Sequence, residues 1–281
     1  PAVALTDHGN MFGAIEFYRT CVAAGVQPII GCEVYMAPRS RKEQKVPRSD
    51  DYEAGGNFHM ILLAMNMEGY RNLCKMVSLS YQEGFYFKPR IDKELLRALN
   101  GGLIATSGCL SGEINRAFAA DNYARGRELA TEYLQIFGDR YYLEIQDNHI
   151  PVQTKCNEML KALGTDLGIP LVATNDCHYL TRADARAHEV LLCIQTGKTL
   201  NDPARWKFDT DQLYVKSPED VRAAFADVPE AVENTLAIAK RCDLEIKNHD
   251  YEFPAYRTDP GETLEQRLER AARRGLEDRL A

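Results

Sequence analysis

Along the first two thirds of the chain, short apolar runs alternate with longer stretches in which apolar positions recur every three or four residues. The runs are Ala2 to Leu5, Pro28 to Ile30, Met60 to Ala64, Leu103 to Ala105, Tyr141 to Ile145 and Leu171 to Ala173. Apolar segments this short predict strands, and the stretches between them predict helices with one apolar face. Leu129, Tyr133, Ile136 and Phe137 fall at i, i+4, i+7 and i+8, and Met159, Leu160, Leu163 and Leu167 keep nearly the same spacing. Gly25, Gly138 and Gly168 stand just before the next strand, where a left-handed residue closes a helix. Alternation of this kind predicts a parallel sheet. Six βα units without a break in composition favour a closed α/β barrel over an open doubly wound sheet. Neither GxGxxG nor GxxxxGKS follows any strand, which argues against a dinucleotide or P-loop site.

Past Gly197 the pattern changes. Asn201 to Asp211 is polar and contains Pro203, and Ser217-Pro218 gives a helix start with a capping Ser and Pro at the first position. Helices are predicted from Pro218 to Ala226 and from Pro229 to Arg241. Lys247 to Pro260 reads as a connector, Gly261 to Ala281 as a further helix, and a domain boundary is expected near 250. The chain opens on Pro1 and runs directly into its first apolar run, so it reads as a piece of something longer.

Composition narrows the class. With 45% hydrophobic and 27% charged residues, 281 residues can bury one large core, with an appendage, under a solvated surface. A net charge of -7 gives no general attraction to nucleic acid, so any such contact must be local. The 8 cysteines lack CxxC pairs or regular spacing, as expected of reduced thiols. No signal-like or 18-residue apolar segment occurs, and a cytoplasmic location is expected.

Barrel enzymes place their chemistry at the carboxyl ends of the strands. Here those ends read Thr6-Asp7-His8-Gly9-Asn10, Gly31-Cys32-Glu33, Ser107-Gly108-Cys109, Glu144-Ile145-Gln146-Asp147-Asn148 and Asn175-Asp176-Cys177-His178. His, Asp, Glu and Cys are the ligand types for Zn²⁺ and related ions. Asp176 and His178 are two apart, so on an extended backbone both point to one face. Asp7 and His8 are adjacent and point apart, which leaves one of them to orient the other. By itself Cys109 would read as a buried apolar thiol. Glu144 could assist as a base. His149, His188 and His249 read as residues without a role.

Six ordered stretches resemble the PHP (polymerase and histidinol phosphatase) superfamily, in the version carried by the alpha subunit of bacterial DNA polymerase III. They begin at Ala4 (ALTDHGN), Gly31 (GCEVY), Gly69 (GYRNL), Gly84 (GFYFKPR), Gly108 (GCLSGEI) and Asn175 (NDCHYL). The resemblance implies a seven-stranded distorted (βα)7 barrel over 1–250, lacking its first strand, followed by a connector and the start of a polymerase palm over 251–281. It implies His8, Glu33, His59, Cys109, Asp176 and His178 as metal ligands, with Glu33 bridging; Asp7 and Glu144 are the catalytic candidates that the strand-end positions add. His59 rests on the resemblance alone, because it precedes its apolar run. The implied cofactor is Zn²⁺, or Mn²⁺ or Fe²⁺, with up to three ions in the intact domain. The ligands of the family's His-x-His motif would lie upstream of Pro1.

Two activities are implied: a metal-dependent phosphoesterase, most plausibly a 3′-5′ proofreading exonuclease on DNA, or a structural domain. The structural alternative would dock the polymerase core, a separate exonuclease subunit and, through the full-length protein, a sliding clamp. A free-standing histidinol-phosphatase-like enzyme is a further alternative. Arg39, Arg41, Lys42, Lys45 and Arg48 form a basic run just past Glu33. Together with Lys88 and Arg90 they are the expected phosphate contacts.

Overall fold

The computed structural model describes residues 1–44, 57–247 and 256–281. The chain divides into two compact units, Pro1–Glu245 and Ile246–Ala281. In the first unit the strands are β1 (Ala2–Leu5), β2 (Gln27–Met36), β3 (Phe58–Ala64), β4 (Arg90–Ile91), β5 (Leu103–Thr106), β6 (Tyr141–Gln146) and β7 (Leu171–Thr174). Its helices are α1 (Ala14–Ala23), α2 (Met67–Gln82), α3 (Lys93–Leu99), α4 (Glu113–Ala119), α5 (Tyr123–Phe137), α6 (Pro151–Leu167), α7 (Ala185–Thr196), α8 (Pro218–Ala224) and α9 (Pro229–Arg241). The second unit contributes α10 (Leu264–Leu280), whose N-terminus is fastened by a reciprocal pair of bonds between Thr263 and Gln266. Among the described residues no helix is long and apolar enough to cross a membrane.

The strands hydrogen-bond in the order β1-β2-β3-β5-β6-β7, with β4 added to β2. Among the described strands no ladder joins β1 to β7, so the sheet curls into a barrel that is open along one seam. A cavity of about 510 Å³ lies inside, lined from β1 round to β7. The six expected strands are present, and Gly25, Gly138 and Gly168 all have positive φ at helix ends.

One expectation fails. The sheet is not wholly parallel, because β3 runs antiparallel to both β2 and β5. Strand-helix alternation could not reveal this, since no helix among the described residues separates β2 from β3. Gly31 permits the close approach of these two strands: a Cβ there would meet the Leu62 carbonyl at 2.6 Å.

Burial along β2 is continuous from Ile29 to Met36, because both faces of the strand are covered. The floor of the barrel is one apolar cluster. Ile29, Leu63, Ile104, Tyr142 and Val172 each come from a different strand and meet Ile238, Ala239 and Cys242 at the end of α9. Gln27 ties the plug in place by donating to the carbonyls of Ala239 at 2.8 Å and Cys242 at 2.5 Å. The Asn234 amide donates to the Leu171 carbonyl of β7 at 2.8 Å.

Candidate metal centre

The antiparallel course of β3 accounts for His59. In an antiparallel pair the first residues of one strand lie beside the last residues of the other. Register partners are Tyr35 with His59 and Glu33 with Ile61, so Glu33, Tyr35, His59 and Ile61 share one face. His59 therefore stands at the same mouth as residues that end parallel strands. Its Nδ1 lies 2.6 Å from Glu33 Oε1.

The other carboxylate oxygen of Glu33 turns elsewhere: Oε2 is 3.5 Å from His8 Nδ1. His8 reaches this position because the ladder continues past β1, with the Glu33 amide donating to the Asp7 carbonyl and the Gly9 amide to the Glu33 carbonyl. His8, Glu33 and His59 each present a ligand atom within 4.8 Å of the others. Cys109 Sγ is 3.9 Å from both Glu33 Oε1 and His59 Nδ1. Gly108 brings it there with φ +75°, and a Cβ at that glycine would lie 2.7 Å from the His59 carbonyl.

Asp176 and His178 enter from the far side. The extended backbone expected for them is not found, since Asp176 has φ +52° and the strand ends at Thr174. The turn still brings the pair together: His178 Nδ1 lies 2.8 Å from the Asp176 carbonyl oxygen and 3.8 Å from Oδ1. Neighbouring segments hold this turn. The His178 amide donates to the Leu213 carbonyl, and the Asn175 amide donates to the carbonyls of Gln212 and Tyr214. The sequence pattern did not single out 212–214, because those residues act here through their main-chain carbonyls. The His178 ring centroid is 6.4 Å from that of His8.

The electrostatics of this ring fit a cation. Burial pushes the Glu33 carboxyl up, but the His59 hydrogen bond and the nearby histidines outweigh it and leave it below its ordinary range. Burial and then the Glu33 charge push Asp176 up. Burial, then Asp176 and Glu33, hold the Cys109 thiol well above its usual value. Burial above all pushes His8 down. A divalent ion would relieve the carboxylate and thiol together, and imidazole, carboxylate and thiolate are the donors that Zn²⁺ and its neighbours take.

Asp7 is exposed and lines the cavity, and its main chain, through the carbonyl, positions both Glu33 and the Cys32 thiol. Glu144 lines the same cavity as His8, Glu33, Asp176 and His178 and is almost fully buried. It accepts from the hydroxyls of Thr106 and Thr174 and from the Gln146 amide, and burial pushes its carboxyl up.

The basic run divides. Arg41 is 4% exposed, with Nη1 donating to Asp92 at 3.0 Å and Nη2 to Glu83 at 2.6 Å. Arg90 is 1% exposed, and its guanidinium donates to the carbonyls of Gly84, Arg41 and Glu43. Both were expected at phosphate. They instead tie the segment around 41–43 to the segments around Gly84 and Asp92. Arg39 and Lys42 are exposed, and Lys88 lies 5.3 Å over the Tyr35 ring at the mouth. Lys45, Arg48 and His249 fall outside the described residues.

Residues 1–148, which carry His8, Glu33, His59 and Cys109, four of the six expected ligands, match the model of the PHP domain. This chain belongs to the PHP family. Its PHP architecture extends in similarity beyond the matched residues. The chain is 46% identical over 98% of its length to DNA polymerase III subunit alpha of Thermus aquaticus, covering 23% of that protein. It is 43% identical over 95% to the subunit of the same name from Deinococcus radiodurans, covering 20% of it. The Treponema pallidum subunit is 43% identical over 100% of the chain, with 24% of that protein covered. The PHP chain thus spans about a quarter of the length of these relatives.

Proposed function

We propose that the mouth of this PHP sheet is a metal-dependent phosphoesterase site within a replicative DNA polymerase III alpha subunit. Its substrate on this reading is the 3′-terminal phosphodiester of DNA, cleaved in proofreading. The observation that carries the reading is Glu33, whose two oxygens face different histidines, as a carboxylate bridging two ions must. His8, Glu33, His59, Cys109, Asp176 and His178 would hold the ions, with Zn²⁺ the first candidate and Mn²⁺ or Fe²⁺ the others. When bound, such ions supply Lewis acidity toward phosphate and water. The chain's own part is to fix the ligands on or just past five strands, β1, β2, β3, β5 and β7, and to offer Lys88, Arg39 and Lys42 to the phosphates. Similarity running the length of the chain to polymerase subunits favours this setting, with a cytoplasmic location, over a free-standing phosphatase.

A second reading is favoured by α7 and the loop before it, where Leu180, Leu191 and Ile194 are 75%, 62% and 72% exposed. Exposed apolar groups such as Leu191 and Ile194, neighbours at i, i+3 on α7, suit a docking face for the polymerase core or a separate exonuclease subunit. The two readings part in one experiment on the full-length parent: 3′-5′ degradation of single-stranded DNA with Zn²⁺ or Mn²⁺, measured beside metal content and thermal stability, with and without Asp176→Asn. Loss of degradation and metal at unchanged stability supports the enzyme. Lost stability in a parent that never degrades DNA supports the docking domain.

A further inference from the structure

A row of aromatic rings leads away from the ligand cluster. From His178 the contacts run to Phe208 at 5.2 Å between centroids and to His188 of α7 at 5.3 Å. His188 and Phe208 are themselves stacked, 5.7 Å apart with planes 23° from parallel. Trp206 meets Phe208 edge-on at 4.8 Å. Trp206 is 54% exposed, although it is the largest apolar side chain available and stands in a polar, Pro-containing stretch. Beside the row lies a cleft of about 480 Å³, lined among others by Tyr179, His188, Leu192 and Phe208.

Charge does not explain this surface. The ionic groups around it are paired with each other: Arg186 and Arg205 with Glu189, Lys207 with Asp209, Arg182 with Asp211 and Lys198 with Asp202. What the cleft offers is ring faces and edges at the rim of a site suited to phosphate. Aromatic side chains beside a phosphate site are how proteins hold unpaired bases, since every base has a π face.

We propose that Trp206, Phe208 and His188 form a stacking platform for the unpaired bases of a nucleic-acid strand whose phosphate lies at the metal mouth. The proposal rests on the phosphoesterase reading and names its substrate class: a single strand, not a duplex and not a small sugar phosphate. A base in a duplex is already stacked on its neighbours, whereas a frayed 3′ end has a free face to give to Trp206.

The test uses the fact that the chain has 1 tryptophan, so its fluorescence reports on this platform alone. The full chain in chelator is titrated with a short oligothymidylate, with an abasic oligomer of equal length, and with inorganic phosphate. Oligothymidylate should quench saturably, while the abasic strand and phosphate leave the emission unchanged. By anisotropy of a labelled strand, Trp206→Ala should weaken binding by roughly 5- to 100-fold and Trp206→Phe by much less. Equal affinity for abasic and base-bearing strands, or undiminished binding by Trp206→Ala, overturns the proposal. So does quenching by purified polymerase core without quenching by oligothymidylate, which would make the rings a protein contact. Because no metal is present, the outcomes separate: quenching without nuclease activity in the loaded parent defeats the phosphoesterase reading alone, and activity without quenching defeats the platform alone.

Discussion

The two walls of the candidate metal mouth are built differently. On one, Glu33, His59 and Cys109 come from paired strands or the turn directly after one, and Glu33 is 5% exposed. On the other, His8 and the Asp176–His178 turn lie beyond the strand ends, beside the open seam, and are held by isolated main-chain bonds. A ligand fixed by a sheet has its geometry before an ion arrives, while one on a turn completes its geometry on binding. The first wall should therefore set affinity and the second should adjust to what is bound.

The largest expected effect tests that division directly. Glu33→Gln should lower metal affinity by more than about 100-fold, and Asp176→Asn by roughly 10- to 100-fold, as read by chelator competition. The reverse order would place affinity on the open wall. Next comes the arginine beneath the first wall. Arg41→Met removes the guanidinium from the buried Asp92 carboxylate, leaving it only the backbone amides of residues 41 and 95, and should cost about 3–5 kcal/mol in urea unfolding.

Glu144→Gln should change stability by about 1 kcal/mol near neutral pH, because an amide can keep the hydroxyl partners. Its pH dependence has a definite sign. The folded protein raises the pKa of Glu144, so its contribution is full below the ordinary carboxyl range and is lost as pH rises through the elevated value. The amide variant should lack that loss, and thermal melts across pH would show whether the difference widens toward alkaline pH. The smallest effect belongs to the exposed half of the basic run. Arg39→Ala and Lys42→Ala should each leave stability within about 0.5 kcal/mol, while reducing the salt slope of DNA binding by about one.

How much of this the sequence disclosed follows the same line between sheet and turn. His8, Glu33 and Cys109 were legible because each ends or follows an apolar run, and a barrel sends such ends to one rim. His59 was not, since only the ladder shows that its strand is reversed. Asp176 and His178 do come together, but through a left-handed turn and not through the extended strand that their spacing suggested. Arg41 and Arg90 misled because a basic run in a polar loop looks solvated until its bonds to Glu83, Asp92 and the Gly84 carbonyl are seen. Trp206, Phe208 and His188 carried no local signal, since their contacts join α7 to a stretch with no periodicity.

The plug at the floor also says something about time. Gln27 bonds to carbonyls 212 and 215 residues later, and residues of five strands share their apolar cluster with the end of α9. Contacts of such separation are slow to form and cannot form before the distant partner exists. At about 5–20 residues per second of synthesis, β2 would wait roughly 10–40 s for its floor. Until α9 is made, the apolar residues that each strand gives to the floor lack that part of their cover.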